Sequence, residues 1–155
     1  MSFIQHLWSD PETMKLLGGP IKLPEEKHAD WFARMVVPGN PHDRFFLILD
    51  SYGTRVGEVS FHRWDPRLKS AELNIKVLAA YRGQGLARSA LLVFLDLFFG
   101  QFGGCVMTDD VAPGNLAGQR LLESFGFRRV PAPPDVNGLV LTKDDYLSLT
   151  SRPQE

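Results

Sequence analysis

A short glycine-containing segment, Arg82-Gly83-Gln84-Gly85-Leu86-Ala87, has the residue types of an anion-binding loop. It follows a strand-like stretch and precedes a dense apolar run, so we expect it to lead into the N-terminus of a helix. Backbone N–H groups there lack partners within the helix, and the helix dipole adds about half a positive charge. Glycine lacks the Cβ atom that would keep a ligand away from those donors. With Arg82 and Arg88 adding charge, the segment predicts a cradle for a diphosphate.

Two well-known phosphate loops do not fit this segment. The dinucleotide pattern Gly-x-Gly-x-x-Gly needs glycine at position 88, which is Arg88, and the Gly-Lys-Ser/Thr of a Walker A loop is absent. The pattern that fits is Arg/Gln-x-x-Gly-x-Gly/Ala, which Arg82, Gly85 and Ala87 satisfy. A second motif follows at residues 115–127, where Asn-Leu-Ala opens a helix-like pattern that ends in Phe-Gly-Phe.

In this order and spacing, the two motifs resemble the acetyl-CoA loop and the asparagine-led helix of the GNAT superfamily of N-acetyltransferases. The resemblance covers about residues 7–148 and is nearest to the ribosomal-protein-type N-terminal acetyltransferases. It implies an α/β (α+β mixed-sheet) fold, in which helices flank a central, mostly antiparallel sheet. It also implies a single acetyltransferase domain over residues 1–155, with acetyl-CoA as co-substrate and no metal.

The resemblance also assigns the co-substrate contacts. The pantetheine arm would lie along the central strand like an added strand, and the Val77 N–H would meet the thioester oxygen. Asn115 would bond the arm from the next helix, although a simple N-cap is the alternative for that residue. The implied co-substrate-binding residues are Ile75, Lys76, Val77, Arg82, Gly83, Gln84, Gly85, Leu86, Ala87, Arg88 and Asn115.

The reaction implied is attack of a neutral amine on the acetyl thioester, which calls for a proton acceptor. In related ribosomal-protein acetyltransferases a carboxylate lies five residues before the motif asparagine, and that position is Asp110 here. Glu72, on the central strand, is the rival catalytic residue. The alternatives are a loop-capping role for Asp110 and a solvated polar face for Glu72. His62 would titrate near neutral pH, but a surface role is the simpler interpretation.

The group that protonates the leaving thiolate is harder to assign. Many members of the family carry a tyrosine seven residues after the motif asparagine, and here that position is Leu122. Ser124, Tyr81 or solvent would have to act instead. Since a free thiol has a pKa of about 8.5, protonation by solvent is chemically adequate.

Two classes of function follow. The first is an acetyl-CoA-dependent N-acetyltransferase that modifies a primary amine of a small molecule or of a peptide or protein N-terminus, by direct attack in a ternary complex. The second is a non-catalytic acyl-CoA-binding sensor or partner module of the same fold. Four aromatic residues are candidates for an acceptor groove, with core packing as the alternative: Trp31, Phe32, Tyr52 and Trp64.

Composition limits the partners. The net charge of −1 argues against broad affinity for nucleic acid. The apolar run Ala90–Phe99 contains Asp96 and is too short to span a bilayer, and the N-terminus lacks a signal-peptide pattern. The one cysteine, Cys105, permits no internal disulfide and fits a small core residue, so we expect a cytoplasmic protein.

Periodicity predicts the elements that position these residues. We expect helices at 2–17, with a restart at Ser9-Asp10-Pro11-Glu12, and at 24–35 with Trp31, Phe32 and Met35 facing inward. The remaining elements are a hairpin at 45–64, the central strand at 71–77, a buried helix at 90–99, a strand at 105–108, the helix from Asn115, strands at 127–130 and 139–141, and a terminal helix after a capping box at Thr142.

The family's usual first strand finds no counterpart in the sequence. The helical pattern begins almost at Met1, so we expect that strand to be missing or supplied from elsewhere, for example by a partner, and the sheet edge that it would cover to be exposed. Because exposed edges favour pairing between chains, the sequence predicts a homodimer, formed through this edge or through the apolar helix Ala90–Phe99.

Overall fold

A computed structural model describes residues 1–151. The helices are α1 Ser2–Ser9, α2 Pro11–Met14, α3 His28–Met35, α4 Leu86–Asp96, α5 Leu116–Ser124 and α6 Lys143–Thr150. The strands are β1 Arg44–Leu49, β2 Arg55–Asp65, β3 Ser70–Val77, β4 Val106–Val111, β5 Arg128–Val130 and β6 Asn137–Thr142. Shorter turns complete the path: 3₁₀ turns at Glu25–Lys27 and Ala79–Tyr81, and a π-helical turn at Leu97–Gln101.

The six strands form one sheet in the order β1-β2-β3-β4-β6-β5. Only β3 and β4 run parallel, joined through α4, whereas the other neighbouring pairs are antiparallel. The expected mixed α/β fold, with a mostly antiparallel sheet and flanking helices, is therefore confirmed. In residues 1–151 no strand precedes α1, and β1 lies at one edge of the sheet.

The parallel pair opens a gap in the middle of the sheet. Pairing between β3 and β4 covers three residues, from Ser70 opposite Val106 to Glu72 opposite Thr108. Both strands continue beyond that point, β3 to Val77 and β4 to Val111, without pairing to each other. The backbone on the open side of β3 is therefore free of its neighbour along the second half of the strand.

Local signals account for the ends of several helices. The Asp10 side chain accepts a hydrogen bond from the Thr13 N–H at 2.9 Å and begins α2, with Pro11 in the first turn, as the restart predicted. Thr142 Oγ1 accepts from the Asp145 N–H at 3.2 Å and begins α6, as the capping box predicted.

The structure differs from the sequence expectations in three places. Phe32 is 42% exposed rather than inward, because α3 buries only Trp31 fully. The apolar helix begins earlier, at Leu86, and exposes Val93, so it is buried on one face only. Strand β4 extends through Asp109 and Asp110, which the sequence analysis had placed in a loop, because both pair with β6.

Aromatic packing fixes α4 against the sheet. Phe61 of β2 contacts Phe94 and Phe98 with ring centroids 6.0 and 5.3 Å apart, and Trp64 joins this cluster at 6.0 Å from Phe98. Tyr52 lies at the tip of the β1–β2 hairpin and is 92% exposed. The core-packing interpretation therefore holds for Trp64.

Candidate active site

A cavity of about 830 Å³ occupies the gap between β3 and β4. Its walls are formed by β3, the glycine loop, the start of α4, the end of β4 and α5, and residues after α2 cover it from one side. Of the eleven residues expected to bind the co-substrate, ten line this cavity, and Gln84 does not. The four candidate acceptor aromatics lie outside its walls.

The glycine loop leaves open space next to the N-terminus of α4. Gly85 is the N-cap of α4, and both Gly83 and Gly85 have φ of 76°, a left-handed conformation that favours glycine. A Cβ atom at either position would meet no heavy atom within 4 Å. The loop thus has both the unpartnered N–H groups and the room that a diphosphate needs.

The two arginines of the loop are both anchored to other elements. Arg82 Nη2 donates to the Thr13 carbonyl of α2 at 2.8 Å. Arg88 Nη1 donates to Ser124 Oγ of α5 at 2.8 Å, and its guanidinium lies 5.0 Å from the centroid of the Phe125 ring. Their positive charge is held at the loop by these contacts, which the sequence did not indicate.

The open side of β3 presents unpaired backbone groups to the cavity. The Leu78 N–H donates to the Val56 carbonyl at 2.9 Å, toward β2. Because backbone groups of a strand alternate between its two sides, those of Ile75 and Val77 point the other way, into the gap. This arrangement matches the groups expected to receive the pantetheine arm.

A buried polar network lies behind this strand. Lys76 Nζ lies 2.9 Å from Glu58 Oε1 and 2.7 Å from Asn74 Oδ1. The indole N–H of Trp8, on α1, donates to both Glu58 carboxylate oxygens at 3.2 and 3.1 Å. Each charge in this network therefore has a partner, as burial demands.

Asn115 has the geometry of a helix N-cap. Its Oδ1 accepts from the Gly118 N–H at 3.0 Å, and a Cβ at Gly118 would come within 2.6 Å of Nδ2. The capping alternative is therefore present in the structure. Contact with the co-substrate stays a prediction that the position of Asn115 in the cavity wall allows.

Four carboxylates line the cavity and form what we call the acidic region: Glu72, Asp109, Asp110 and Asp135. Burial raises the pKa of the Asp109 carboxyl to about 7, helped by the negative charges of Glu72 and Asp110 and opposed by a hydrogen bond from the Asp110 backbone and by the charge of Lys76. Glu72 pairs with Arg63 at 3.2 Å, and Asp110 is exposed. This region therefore attracts cations and contains one carboxyl that changes charge near neutral pH.

His62 lines the same region, and both of its ring nitrogens are engaged. Nδ1 lies 3.1 Å from Asp43 Oδ1, and Nε2 lies 2.9 Å from Ser60 Oγ. Partial burial opposes ionisation of Asp43, but hydrogen bonds from Asn40 and His62 outweigh it and lower the pKa of that carboxyl. Since an ionised carboxylate only accepts hydrogen bonds, Nδ1 donates its proton to Asp43.

Tyr81 is the sequence-derived candidate for thiolate protonation that lines the cavity. Leu122 is 2% exposed and brings no hydroxyl to the position of the family's tyrosine. Ser124 is outside the cavity wall, and its Oγ donates to the Leu121 carbonyl at 2.6 Å.

Asp109, like Asp135 in the cavity wall, is a carboxylate that sequence reasoning missed. It alternates with Met107 and Val111, which are 0% and 6% exposed, and so occupies the apolar face of β4. A carboxylate within a period-2 apolar pattern is the signal that was available.

Comparison with known families decides the class of protein. The family model described as acetyltransferase (GNAT) domain matches residues 1–128. The chain belongs to the GNAT acetyltransferases. The expected enzyme class, N-acetyltransferase, and the co-substrate, acetyl-CoA, are confirmed at the level of this family. No curated protein sequence matches the chain significantly.

Solved structures with the same fold include polyamine acetyltransferases. The crystal structure of spermidine N-acetyltransferase from Vibrio cholerae with CoA and spermine has a TM-score of 0.83 at 20% identity, over 94% of this chain and 91% of that one. A dodecameric structure of the Vibrio cholerae enzyme has a TM-score of 0.79 at 20% identity, over 97% and 92% of the two chains. Within residues 1–151, no helix has the length and apolarity to cross a membrane.

Proposed function

We propose that this chain, as a single acetyltransferase domain, transfers the acetyl group of acetyl-CoA to a primary amine that carries further positive charge. The observation that supports the proposal most directly is one cavity with two chemically different regions. The glycine loop and two arginines suit an anion, and the four carboxylates suit a cation.

The loop region fits the anionic part of the co-substrate. The N–H groups before α4, together with Arg82 and Arg88, would balance a diphosphate, and the gap beside β3 would take an extended arm. An arm that bonds to the backbone of Ile75 and Val77 would run from the loop along the unpaired side of β3, between β3 and α5.

The acidic region fits the acceptor. A polyamine presents several ammonium groups, and the structural neighbours named above act on spermidine or spermine. A peptide N-terminus, the acceptor of the ribosomal-protein-type enzymes, also presents a primary amine. We favour a polyamine-like acceptor because four carboxylates line a single cavity, of which Asp110 and Glu72 are the residues that the sequence singled out.

The chemistry requires positioning more than chemical activation. Acetyl-CoA supplies an acetyl thioester, whose carbonyl carbon bonds to the amine nitrogen while its bond to sulfur breaks. The Val77 N–H would polarise the carbonyl oxygen, and a carboxylate of the acidic region would take the proton of the incoming ammonium group. One proton of the amine leaves to solvent overall, and a second ends on the sulfur of CoA.

A screen for thiol release tests this proposal. Purified protein with acetyl-CoA would be offered spermidine, peptides with free N-termini and a neutral-chain monoamine of similar length. We expect release with the polyamine to exceed release with the monoamine at equal concentration. Binding of acetyl-CoA without turnover of any amine would favour the non-catalytic module, and failure to bind acetyl-CoA would contradict both functions.

We further propose that the protein forms a homodimer and resides in the cytoplasm. Edge strand β1 exposes Leu47 and Leu49, at 42% and 54%, and α4 exposes Val93 at 70%. A second copy that pairs with the backbone of β1 would cover the first two side chains. Light scattering at micromolar concentration would give the mass of two chains, and Leu49→Lys would lower it to one if β1 is the interface.

A further inference from the structure

Besides Asp135, which is exposed in the loop before β6, four groups in the acidic region could hold a proton from the substrate, and three of them are engaged or hydrated. Glu72 pairs with Arg63 at 3.2 Å. His62 has one nitrogen on Asp43 and the other on Ser60. Asp110 is exposed, so water solvates its carboxylate.

Asp109 differs from these three in its surroundings. Within residues 1–151, no Lys, Arg or His nitrogen lies within 4.0 Å of its carboxylate, so it has no ion-pair partner. It lies on the apolar face of β4 between Met107 and Val111, yet it lines the cavity at the point where β3 and β4 part. A carboxylate that is half-buried on an apolar face, has no ion-pair partner and lines a substrate cavity is held in an environment that favours gaining a proton.

We propose that Asp109, rather than Asp110 or Glu72, accepts the proton of the acceptor amine. This assignment rests on the acetyl-transfer function proposed above. One N–H bond of the ammonium group breaks as an O–H bond forms on Asp109, and the nitrogen lone pair then attacks the acetyl carbon. The second proton passes to the departing sulfur, and Asp109 returns its proton to solvent.

The charges around Asp109 set the pH range over which its carboxylate can accept a proton. The titratable groups that share the cavity wall with Asp109 are Glu72 and Lys76 on β3, His62 on β2, its neighbour Asp110 on β4, and Asp135 before β6, and Glu58 of β2 pairs with Lys76. The negative groups outnumber the positive one, and Glu58 already neutralises Lys76 at 2.9 Å. The raised pKa of Asp109, about 7, follows from its burial and these charges. Such a carboxyl is half ionised at neutral pH and matches what a general base requires.

Steady-state kinetics of Asp109→Asn, with Asp110→Asn and Glu72→Gln as comparison variants, tests the assignment. In the wild type, kcat/KM should rise with pH through a limb near pH 7. Asp109→Asn should lose about 100- to 10,000-fold in kcat at pH 7.5 and lose that limb, while its affinity for acetyl-CoA by calorimetry changes less than about threefold. Asp110→Asn and Glu72→Gln should raise the KM of a polyamine but keep the limb. The proposal would be overturned if Asp109→Asn keeps a near-normal kcat, or if Asp110→Asn or Glu72→Gln shows the large loss of kcat instead.

A carbon-13 NMR titration of the wild-type Asp109 carboxyl supplies a readout that needs no substrate. A midpoint near 7 is expected, and a midpoint near 4 would overturn the assignment whatever the acceptor is. Absence of turnover with every amine, in a protein whose Asp109 titrates near 7, would instead contradict the proposed function and remove the assignment with it.

Discussion

Lys76 and Glu58 form a 2.9 Å ion pair directly across strands β3 and β2, and the two side chains are only 8% and 1% exposed. The pair lies immediately behind the strand that faces the cavity. Its desolvation is offset by the bonds to Asn74 and Trp8. The pair thus connects α1 to the strand on which the co-substrate is proposed to lie.

Removing one partner of this pair should cost far more stability than removing both. Lys76→Met leaves a buried carboxylate without its cation and is expected to lower the free energy of unfolding by about 3–5 kcal/mol. The double variant Glu58→Gln/Lys76→Met carries no buried charge and should recover at least half of that loss. Urea unfolding of the two single variants and the double variant gives the coupling free energy. A loss in the double variant equal to the sum of the losses in Lys76→Met and Glu58→Gln would show that the pair contributes no coupling.

The open space over the loop predicts a specific effect of a single methyl group. Gly85→Ala adds a Cβ where the diphosphate is proposed to approach the backbone, and we expect at least a tenfold loss of acetyl-CoA affinity by calorimetry. Gly53→Ala is the matched control, because Gly53 has φ of 79° and equally open surroundings at the distant hairpin tip. Both variants carry a similar backbone strain of about 1 kcal/mol. A comparable loss of affinity in both would assign the effect to strain and not to the ligand.

Asn115 allows its two roles to be separated. Asn115→Ser keeps an N-cap oxygen for the Gly118 N–H, so the free energy of unfolding should change by only a few tenths of a kcal/mol, whereas Asn115→Ala should lose about 1 kcal/mol. Both variants remove the amide group, and we expect both to weaken acetyl-CoA binding. If Asn115→Ser binds acetyl-CoA as the wild type does, the residue acts only as a cap.

Burial of Asp109 also predicts how stability depends on pH. The carboxyl keeps its proton up to about pH 7 in the folded chain, against a usual value of 3.8, so between these values the folded state binds more protons than the unfolded state. Its contribution to stability is therefore present at low pH and is lost as pH rises from about 4 to 7. Asp109→Asn lacks this loss, and its stability relative to wild type should increase by on the order of 1–3 kcal/mol between pH 4 and pH 8. Thermal unfolding at the two pH values measures this change, and a constant difference between the proteins would contradict the burial of an ionised carboxylate.

Local sequence signals predicted the glycine loop, the helix caps and the succession of helices and strands along the chain. Gly83 and Gly85 mark a left-handed turn, and Asn115 marks a helix start, because these preferences depend on a few adjacent residues. Arg82 donates a hydrogen bond to the Thr13 carbonyl, 69 residues earlier in the chain, and a contact between such distant residues cannot be predicted from a local pattern.

The acidic region shows the same limit. Whether Asp109 is buried depends on how far β4 pairs with β6 and on where β4 leaves β3. Sequence periodicity predicted that this strand ends at Thr108, and of the two aspartates only Asp110 became a candidate, since a loop aspartate has no defined face. Alternation with Met107 and Val111 becomes informative only when the strand is known to continue.

The central claim is that this chain transfers acetyl groups to cationic amines, and one assay tests it most directly. The initial rate of CoA thiol release would be measured with acetyl-CoA well below its wild-type KM and either spermidine or a monoamine of similar length, with Gly85→Ala as the comparison enzyme. We predict a rate with spermidine well above that with the monoamine, and a rate at least about tenfold lower for Gly85→Ala. Equal, background-level rates for wild type and Gly85→Ala with both amines would contradict it.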